Sequence, residues 1–338
     1  MTQPPAQNPE SAAPAGELFQ RRVPAEAAGR RLDQVAAELL APRLSRAQVQ
    51  RLLAEGRLSL DGRRDKGSAR VKGGEELSLI LPPPQPLDLR PEAMDLAVLF
   101  EDSHLIVVNK APGLVVHPAA GHETGTLVHG LLHHCGDLAG VGGMLRPGIV
   151  HRLDMDTSGA LVAAKDDRAH RGLVAAFAAG RVKKQYLALV WGQPPASGEI
   201  KTGIGRHPVD RKRMSSQGRQ TKPALTRWRL VRFFPAAEVS LLRVTIATGR
   251  THQIRVHLAE AGWPVLGDAV YGGRRARKLP PGEAGPALKA AHRQMLHALR
   301  LAFSHPVTGG KVAVVAPLPA DFRAVLHALA AGEAGRGA

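Results

Sequence analysis

The sequence predicts an α+β protein, with a small N-terminal domain followed by a large domain built on a mixed, mainly antiparallel sheet. Three observations predict this. Short apolar strands are interspersed irregularly with helical patterns, which is typical of α+β folds. No glycine-rich nucleotide fingerprint or P-loop lysine motif is present, which argues against a doubly wound sheet. A proline run at residues 82–86 separates the two parts of the chain.

Composition sets the domain boundaries. Residues 1–18 are rich in Pro, Ala, Gln and Gly, and so predict a disordered tail. We therefore expect the small domain over residues 19–81, a proline-rich linker over 82–87 and the large domain over 88–338.

In the small domain, two sets of apolar residues recur at helical spacing and predict two helices. The first set is Leu32, Val35, Leu39 and Leu40, and the second is Val49, Leu52 and Leu53. Ser45 can cap the second helix, which ends at Gly56. Alternating apolar residues predict short strands at 58–60 and 77–81.

In the large domain, apolar runs predict strands at residues 105–108, 161–164, 186–191 and 241–246. Helical patterns fit residues 170–179 and 251–261, and Gly262 and Pro264 end the second. His133, His134 and Cys135 are adjacent, whereas zinc ligands normally come in spaced pairs. We therefore expect a polar helix end there and no metal.

The charge of the chain points to a polyanionic partner. The 338 residues carry a formal net charge of +17, which favours nucleic acid or an anionic membrane. No eighteen-residue apolar run predicts a spanning helix, and the N-terminus does not resemble a secretory signal. The single cysteine cannot form an intrachain disulfide. These features together predict a cytoplasmic protein.

Three polar segments interrupt the apolar strands, and each has a plain interpretation. In residues 151–159, Asp154 or Asp156 could simply cap a turn. Tyr186 heads a strand, where a core tyrosine is common. Arg255 lies near the start of a helix, where a surface arginine is ordinary. Spacing alone leaves these interpretations open.

The same segments, taken together, resemble the RluA-type family of pseudouridine synthases. The motifs are HRLDMDTSG at 151–159, KQY at 184–186, TGRTHQIRVHLAEAGWPVLGDAVYG at 248–272 and RQMLHALRLAFSHPVTGG at 293–310. Residues 30–81 look like the alpha-L RNA-binding domain. The stretches IGRHPVDRKRM and HPAAGHETGTLVHGLLHH are similar to the ribosomal large-subunit synthase D subgroup.

The resemblance implies an isomerase that acts on large-subunit ribosomal RNA and needs no cofactor or metal. Asp154 matches the family's catalytic aspartate, as a nucleophile or as the base in a glycal route. Arg255 matches the arginine that pairs with it, and Tyr186 matches the tyrosine that stacks on the base. Asp156 is the rival carboxylate, because a glycosidase would use two, but the family motif gives it no chemistry.

The resemblance and the basic charge also predict where RNA binds. A flipped uridine leaves a space that Arg152 could fill, and His151 could contact the RNA backbone. Further expected contacts lie around the second helix and in a basic loop: Arg43, Arg46, Arg51, Lys66, Arg206, Arg211 and Arg213. The plainer interpretation of these side chains is a solvated surface.

The resemblance further implies a monomer that acts on an assembling large subunit. Two other functions stay open at this point: a related synthase that modifies transfer RNA, and a non-catalytic RNA-binding assembly factor on the same scaffold. An intact set of Asp154, Tyr186 and Arg255 counts against the assembly factor.

Overall fold

The computed structural model describes residues 17–41, 44, 46–81, 89–119, 121–136, 138, 141, 147–210, 213–273 and 291–334. The chain divides into two compact units, Met1–Pro86 and Leu87–Ala338. Most of the predicted tail, the predicted linker, and Arg43, Ser45 and Arg211 lie outside the described residues. Within the described ranges, no helix has the length and apolar character needed to cross a membrane.

The first unit packs two helices against a three-stranded antiparallel sheet. Its elements are β1 (Glu17–Arg22), a 3-10 turn (Ala25–Ala27), α1 (Leu32–Leu39), α2 (Arg46–Ala54), β2 (Leu58–Leu60) and β3 (Glu76–Leu81). The strand order is β1-β3-β2. The leucines and valines that predicted the two helices are mostly buried between the helices and the sheet, and the predicted helices and strands are confirmed.

Strand β1 corrects the predicted disordered tail. It begins at Glu17, two residues inside that segment, and pairs with β3 from Glu17 opposite Leu81 to Arg22 opposite Glu76. Its side chains are mostly exposed, so it carries no apolar alternation. Backbone hydrogen bonds to β3 form the strand, and a pattern of side chains could not reveal it.

The second unit contains ten strands and four helices in the part of the chain that the structure describes. They are β4 (Val98–Glu101), β5 (Leu105–Lys110), α3 (Leu127–Cys135), β6 (Ser158–Ala164), α4 (Asp167–Ala178), β7 (Lys183–Trp191), β8 (Ser197–Arg206), β9 (Met214–Ser215), β10 (Arg219–Phe234), β11 (Val239–Ile246), α5 (Gln253–Glu260), β12 (Leu296–Ser304), β13 (Lys311–Val315) and α6 (Ala320–Ala334). Every helix and strand predicted for this unit is present, with ends that differ by a few residues.

The strands of this unit form one mixed sheet in the order β4-β5-β6-β12-β7-β11-β10-β8-β9, and β13 pairs with β12. Among the described pairs β6 and β12 are parallel and the others are antiparallel. This arrangement confirms the α+β class and the mainly antiparallel sheet.

Gly159 lets the chain pass from a polar loop into the centre of this sheet. Its φ is +116°, and a Cβ there would collide with the backbone of Ala298 on β12. Only glycine tolerates both conditions. Beyond it, all of β6 is buried, so the preceding loop, residues 151–157, is anchored at one end to a rigid strand.

Candidate active site

The loop that carries Asp154 is tightly fixed through its backbone. The amide of Thr157 donates to the carbonyl of Asp154 at 3.0 Å, which closes a turn. Arg293 Nη1 donates to the carbonyl of Asp156 at 2.8 Å, and its guanidinium also pairs with Asp321 on α6. The loop therefore cannot move without breaking a buried arginine contact.

Lys110, at the end of β5, fixes the same loop from a second direction. Its side chain is only 1% exposed, and Nζ donates to the carbonyls of Ala111, Leu114 and Met155 at 2.7–2.8 Å. Burial lowers the pKa of Lys110 to about 7. Sequence reasoning missed this residue. A lysine at the end of a strand that begins with four buried apolar residues was the available signal.

Arg255, on α5, joins Asp154 to a second carboxylate. Nη1 donates to Asp154 Oδ2 at 3.0 Å, while Nε and Nη2 form a bidentate pair with Asp268 at 2.7 and 3.0 Å. Burial disfavours the guanidinium charge, but the bonds and charges of Asp268 and Asp154 more than offset it and raise the pKa of Arg255. Arg255 thus stays positive beside the loop.

Asp268 was not predicted from the sequence, yet it positions Arg255. Its side chain is fully buried, and Oδ1 also accepts the amides of Val270 and Tyr271 at 2.9 and 3.0 Å. A buried carboxylate with several donors is held rigidly. Nothing in its spacing distinguished it from a turn residue, because its arginine partner lies thirteen positions away on another element.

Tyr186 and Asp154 line one cavity of about 240 Å³. Tyr186 is buried on β7, and burial, followed by the charge of Asp154, raises the pKa of its hydroxyl. Apolar side chains from Phe177, Ile246 and Leu296 share the wall. A small cavity with aromatic and apolar walls and one carboxylate suits a flat, uncharged ring.

Lys184 adds a basic group to this cavity. Nζ lies 5.6 Å from the centre of the Phe177 ring and 3.4 Å from the carbonyl of Thr248, which accepts its hydrogen bond. Burial, with a smaller effect from Arg250, lowers the pKa of Lys184 to about 8. The sequence placed Lys184 in a motif but gave it no role.

His151 packs inside the protein and also lines the cavity. Its ring stacks on Phe177 at 4.6 Å between centroids, and Nε2 accepts the amide of Val162 at 3.0 Å. Burial, with a smaller effect from Lys184, lowers its pKa to about 3, so the ring is neutral near pH 7. The bond to Val162 ties the loop to β6. Because His151 also lines the cavity, its contact with the RNA backbone stays a prediction.

Arg152 and Asp156 differ in their relation to the cavity. Arg152 is exposed and lines it next to Asp154. Asp156 does not line it, and Arg255 bonds to Asp154 and not to Asp156. This geometry agrees with Asp156 as a bystander.

Comparison with known proteins decides the family. The family model described as RNA pseudouridylate synthase matches residues 104–260. An uncharacterized RNA pseudouridine synthase of Chloroflexus aurantiacus is 48% identical, covering 91% of this chain and 92% of its own. The chain belongs to the RluA-type pseudouridine synthase family. Its members that are named RNA pseudouridine synthases are isomerases, and so is this enzyme.

Other relatives agree with this assignment. The ribosomal large subunit pseudouridine synthase D of Zymomonas mobilis is 42% identical over 90% of this chain and 95% of its own. A solved structure of human RNA pseudouridylate synthase domain containing 1 is 30% identical. It covers 67% of this chain and 84% of its own, with a TM-score of 0.52.

In the first unit, some of the residues predicted to contact RNA form hydrogen bonds or ion pairs within the protein. Arg46 donates to the buried carboxylate of Asp33 at 2.7 and 3.2 Å. Arg51 lies 3.4 Å from Glu55 and is 70% exposed. Lys66 is exposed. Arg46 therefore has a structural role whether or not it meets RNA, whereas Arg51 and Lys66 extend into solvent.

The basic segment at residues 206–232 is not the loop that the sequence suggested. Most of it is strand β10, which pairs with β8 and β11. The segment looked like a loop because it is rich in basic residues. On the paired strand, several basic side chains point outward and alternate with residues that pack. Arg206 is exposed at the end of β8, and the Arg213 guanidinium lies 5.3 Å from the centre of the Tyr271 ring.

Proposed function

We propose that this synthase converts uridines of large-subunit ribosomal RNA into pseudouridine, with Asp154 as the reacting carboxylate. The observation that carries the proposal is the position of Asp154: 3.0 Å from a buried arginine and on the wall of the cavity that Tyr186 lines. The substrate follows from relatives named ribosomal large subunit pseudouridine synthase D.

The reaction breaks the bond between uracil N1 and ribose C1′, and joins C1′ to uracil C5 after the base has turned. One proton leaves C5 and one is gained at N1, so that the product is an isomer. Asp154 must be ionised either to attack the ribose or to remove a ribose proton. Arg255 faces one of its oxygens, which leaves the other for the substrate.

Tyr186 covers the base in this proposal. Its raised pKa keeps the hydroxyl protonated near neutral pH, so it can donate a hydrogen bond while its ring packs against uracil. A uridine in structured RNA must leave its stack, at a cost of a few kcal/mol. Arg152, exposed beside the cavity, is placed to occupy the space left in the RNA.

The experiment maps pseudouridine in ribosomal RNA from cells with the wild-type protein, cells without it, and cells with Asp154→Asn. We expect specific large-subunit sites to disappear in the deletion strain and in Asp154→Asn. Rate loss for a lost reacting group is on the order of 10⁴-fold or more. Asp156→Asn is the matched variant two residues away, and we expect it to restore the sites.

Three outcomes would count against parts of the proposal. Sites that persist in the deletion strain would show that another enzyme makes them. Restoration by Asp154→Asn would remove Asp154 from the chemistry and favour a non-catalytic assembly factor. Sites that vanish from transfer RNA alone would assign the enzyme to that substrate.

A further inference from the structure

A histidine that has not entered the mechanism faces the second oxygen of Asp154. His252 Nε2 lies 4.0 Å from Asp154 Oδ1, on the side away from Arg255. His252 lines the cavity together with Asp154, and its side chain is 20% exposed. An imidazole nitrogen therefore faces the oxygen left for the substrate.

The hydrogen bond at the other ring nitrogen of His252, Nδ1, bears on which nitrogen carries the proton. Tyr271 lies 2.8 Å from His252 Nδ1 through its hydroxyl oxygen, which also accepts the amide of Met214 at 2.8 Å. Burial raises the pKa of Tyr271, so the hydroxyl keeps its proton. If it donates that proton to Nδ1, the proton of a neutral imidazole is on Nε2, which faces Asp154.

The backbone of His252 supports a functional role. Its φ is +56° and its ψ is +19°, in the left-handed region, immediately before α5. That region is uncommon for residues other than glycine, although asparagine, aspartate and histidine adopt it more often than the rest, and it is strained. The conformation places His252 and Arg255, three residues later, on opposite oxygens of one carboxylate. Burial also lowers the pKa of His252, which favours the neutral ring.

We propose that His252 is a positioning residue: its Nε2–H holds Asp154 Oδ1, with Tyr271 fixing the tautomer, so that the carboxylate is aimed at the ribose. The proposal rests on the proposed function of Asp154. The distance of 4.0 Å exceeds a hydrogen bond. Catalytic hydrogen bonds are often long without substrate and shorten in the complex.

Two arginines lie close to the Tyr271 ring. Met214 follows Arg213, whose guanidinium lies 5.3 Å from the centre of the Tyr271 ring, and Arg255 lies 5.1 Å from the same ring. The Tyr271 ring therefore contacts two guanidinium groups, and its hydroxyl makes two hydrogen bonds. This environment keeps its hydroxyl aligned with His252.

The test compares two amides at position 252. Glutamine reaches as far as His Nε2 and can donate to Asp154, whereas asparagine reaches only as far as Nδ1. Asparagine tolerates the left-handed backbone better than glutamine. If His252 acts through its Nε2–H, His252→Gln will be more active than His252→Asn. If only the backbone matters, His252→Asn will be the more active variant.

The assay uses the full chain in excess over ribosomal RNA isolated from the deletion strain, and measures the single-turnover rate of pseudouridine formation. We expect His252→Asn to lower that rate roughly 10- to 100-fold, as misplaced catalytic groups do. RNA binding, measured by filter retention, should stay within about twofold, since phosphate contacts dominate affinity. His252→Gln should recover most of the rate.

Tyr271→Phe supplies a second readout. The loss of the hydroxyl frees the tautomer of His252, which nitrogen-15 NMR of the imidazole detects, and the rate should fall by less than in His252→Asn. Equal rates for the glutamine and asparagine variants, a wild-type rate in His252→Asn, or an unchanged tautomer in Tyr271→Phe would each overturn the proposal. If the wild-type enzyme forms no pseudouridine in this RNA, the proposed function fails instead.

Discussion

Each unit of the enzyme contains an aspartate–arginine network, but the more exposed members are arginines in the first unit and an aspartate in the second. In Met1–Pro86 the Asp33 side chain is fully buried, while Arg31 and Arg46 are 39% and 46% exposed. In Leu87–Ala338 Arg255 is 6% exposed, and Asp154 is 16% exposed at the cavity. The buried partner fixes the geometry, and the exposed partner is available to a ligand.

The difference shows how one ion pair can serve two purposes. Asp33 accepts from Arg31, Arg46 and Gln50, and these hydrogen bonds, with that of Arg31 the largest, hold the pKa of its carboxyl well below its usual range. Two guanidinium groups then face solvent around one carboxylate, a surface suited to a polyanion. In the second unit the buried Arg255 presents a carboxylate to the substrate.

The largest expected effect comes from leaving a buried arginine without its main partner. Asp268→Asn removes the bidentate charge pair of Arg255, so we expect the second unit to lose about 3–5 kcal/mol of stability. Asp33→Asn should cost the first unit less, about 1–3 kcal/mol. Its arginines already contact water and can be solvated again.

Native-state hydrogen exchange on the full chain measures both effects, because it resolves the free energy of opening for amides in each unit. Glu199→Gln is a control, since its pair with Arg227 is exposed and exposed pairs contribute little. A loss in Asp33→Asn equal to that in Asp268→Asn would show that arginine burial does not distinguish the two networks.

These networks also mark the limit of what the sequence could predict. Regular elements were predictable wherever apolar side chains repeat at a helical period, as in α1, or form a short continuous run, as in β6. Strand β1 was not predicted, because its side chains are exposed and only its backbone pairs. Within the site, Asp154, Tyr186 and Arg255 were singled out by their family motifs, not by their spacing.

The residues that were missed share a physical cause. Lys110, Asp268 and Tyr271 act through contacts with distant parts of the chain: Met155, Arg255 and His252. No local pattern records such a contact, because it depends on tertiary packing. For the same reason the stacking of His151 on Phe177 is not visible in the sequence.

Low pH should also affect the stability of the two units differently. The pKa of His151 is near 3 in the folded enzyme and about 6.5 when unfolded. Between those values the unfolded chain binds one more proton, so the contribution of His151 to stability falls as pH drops from 6.5 towards 3. The slope is at most about 1.4 kcal/mol per pH unit. The carboxyl of Asp33 stays ionised in the folded enzyme because its pKa is lowered, and its contribution falls only below about pH 5, where the unfolded carboxyl begins to bind a proton.

His151→Gln tests this contribution, because the amide oxygen of glutamine can accept the Val162 amide without titrating. We expect the pH dependence of hydrogen exchange in the second unit to flatten between pH 6.5 and 4. His133→Gln, at an exposed position on α3, is the control and should leave it unchanged. An equal slope in the wild type and His151→Gln would mean that His151 is not held neutral.

The smallest effect concerns the exposed cations of the first unit. If Arg51 and Lys66 contact phosphates, neutralising each one should reduce the salt slope of RNA binding by about 0.7–0.9. Arg51→Gln and Lys66→Gln leave the Asp33 network intact, unlike a change at Arg46, whose guanidinium bonds to Asp33. RNA affinity measured across a range of KCl concentrations gives the slope. Lys311→Gln, exposed on β13, is the charge-matched control. If all three variants show the wild-type slope, Arg51 and Lys66 do not contact phosphates, and this exposed part of the first unit does not bind RNA.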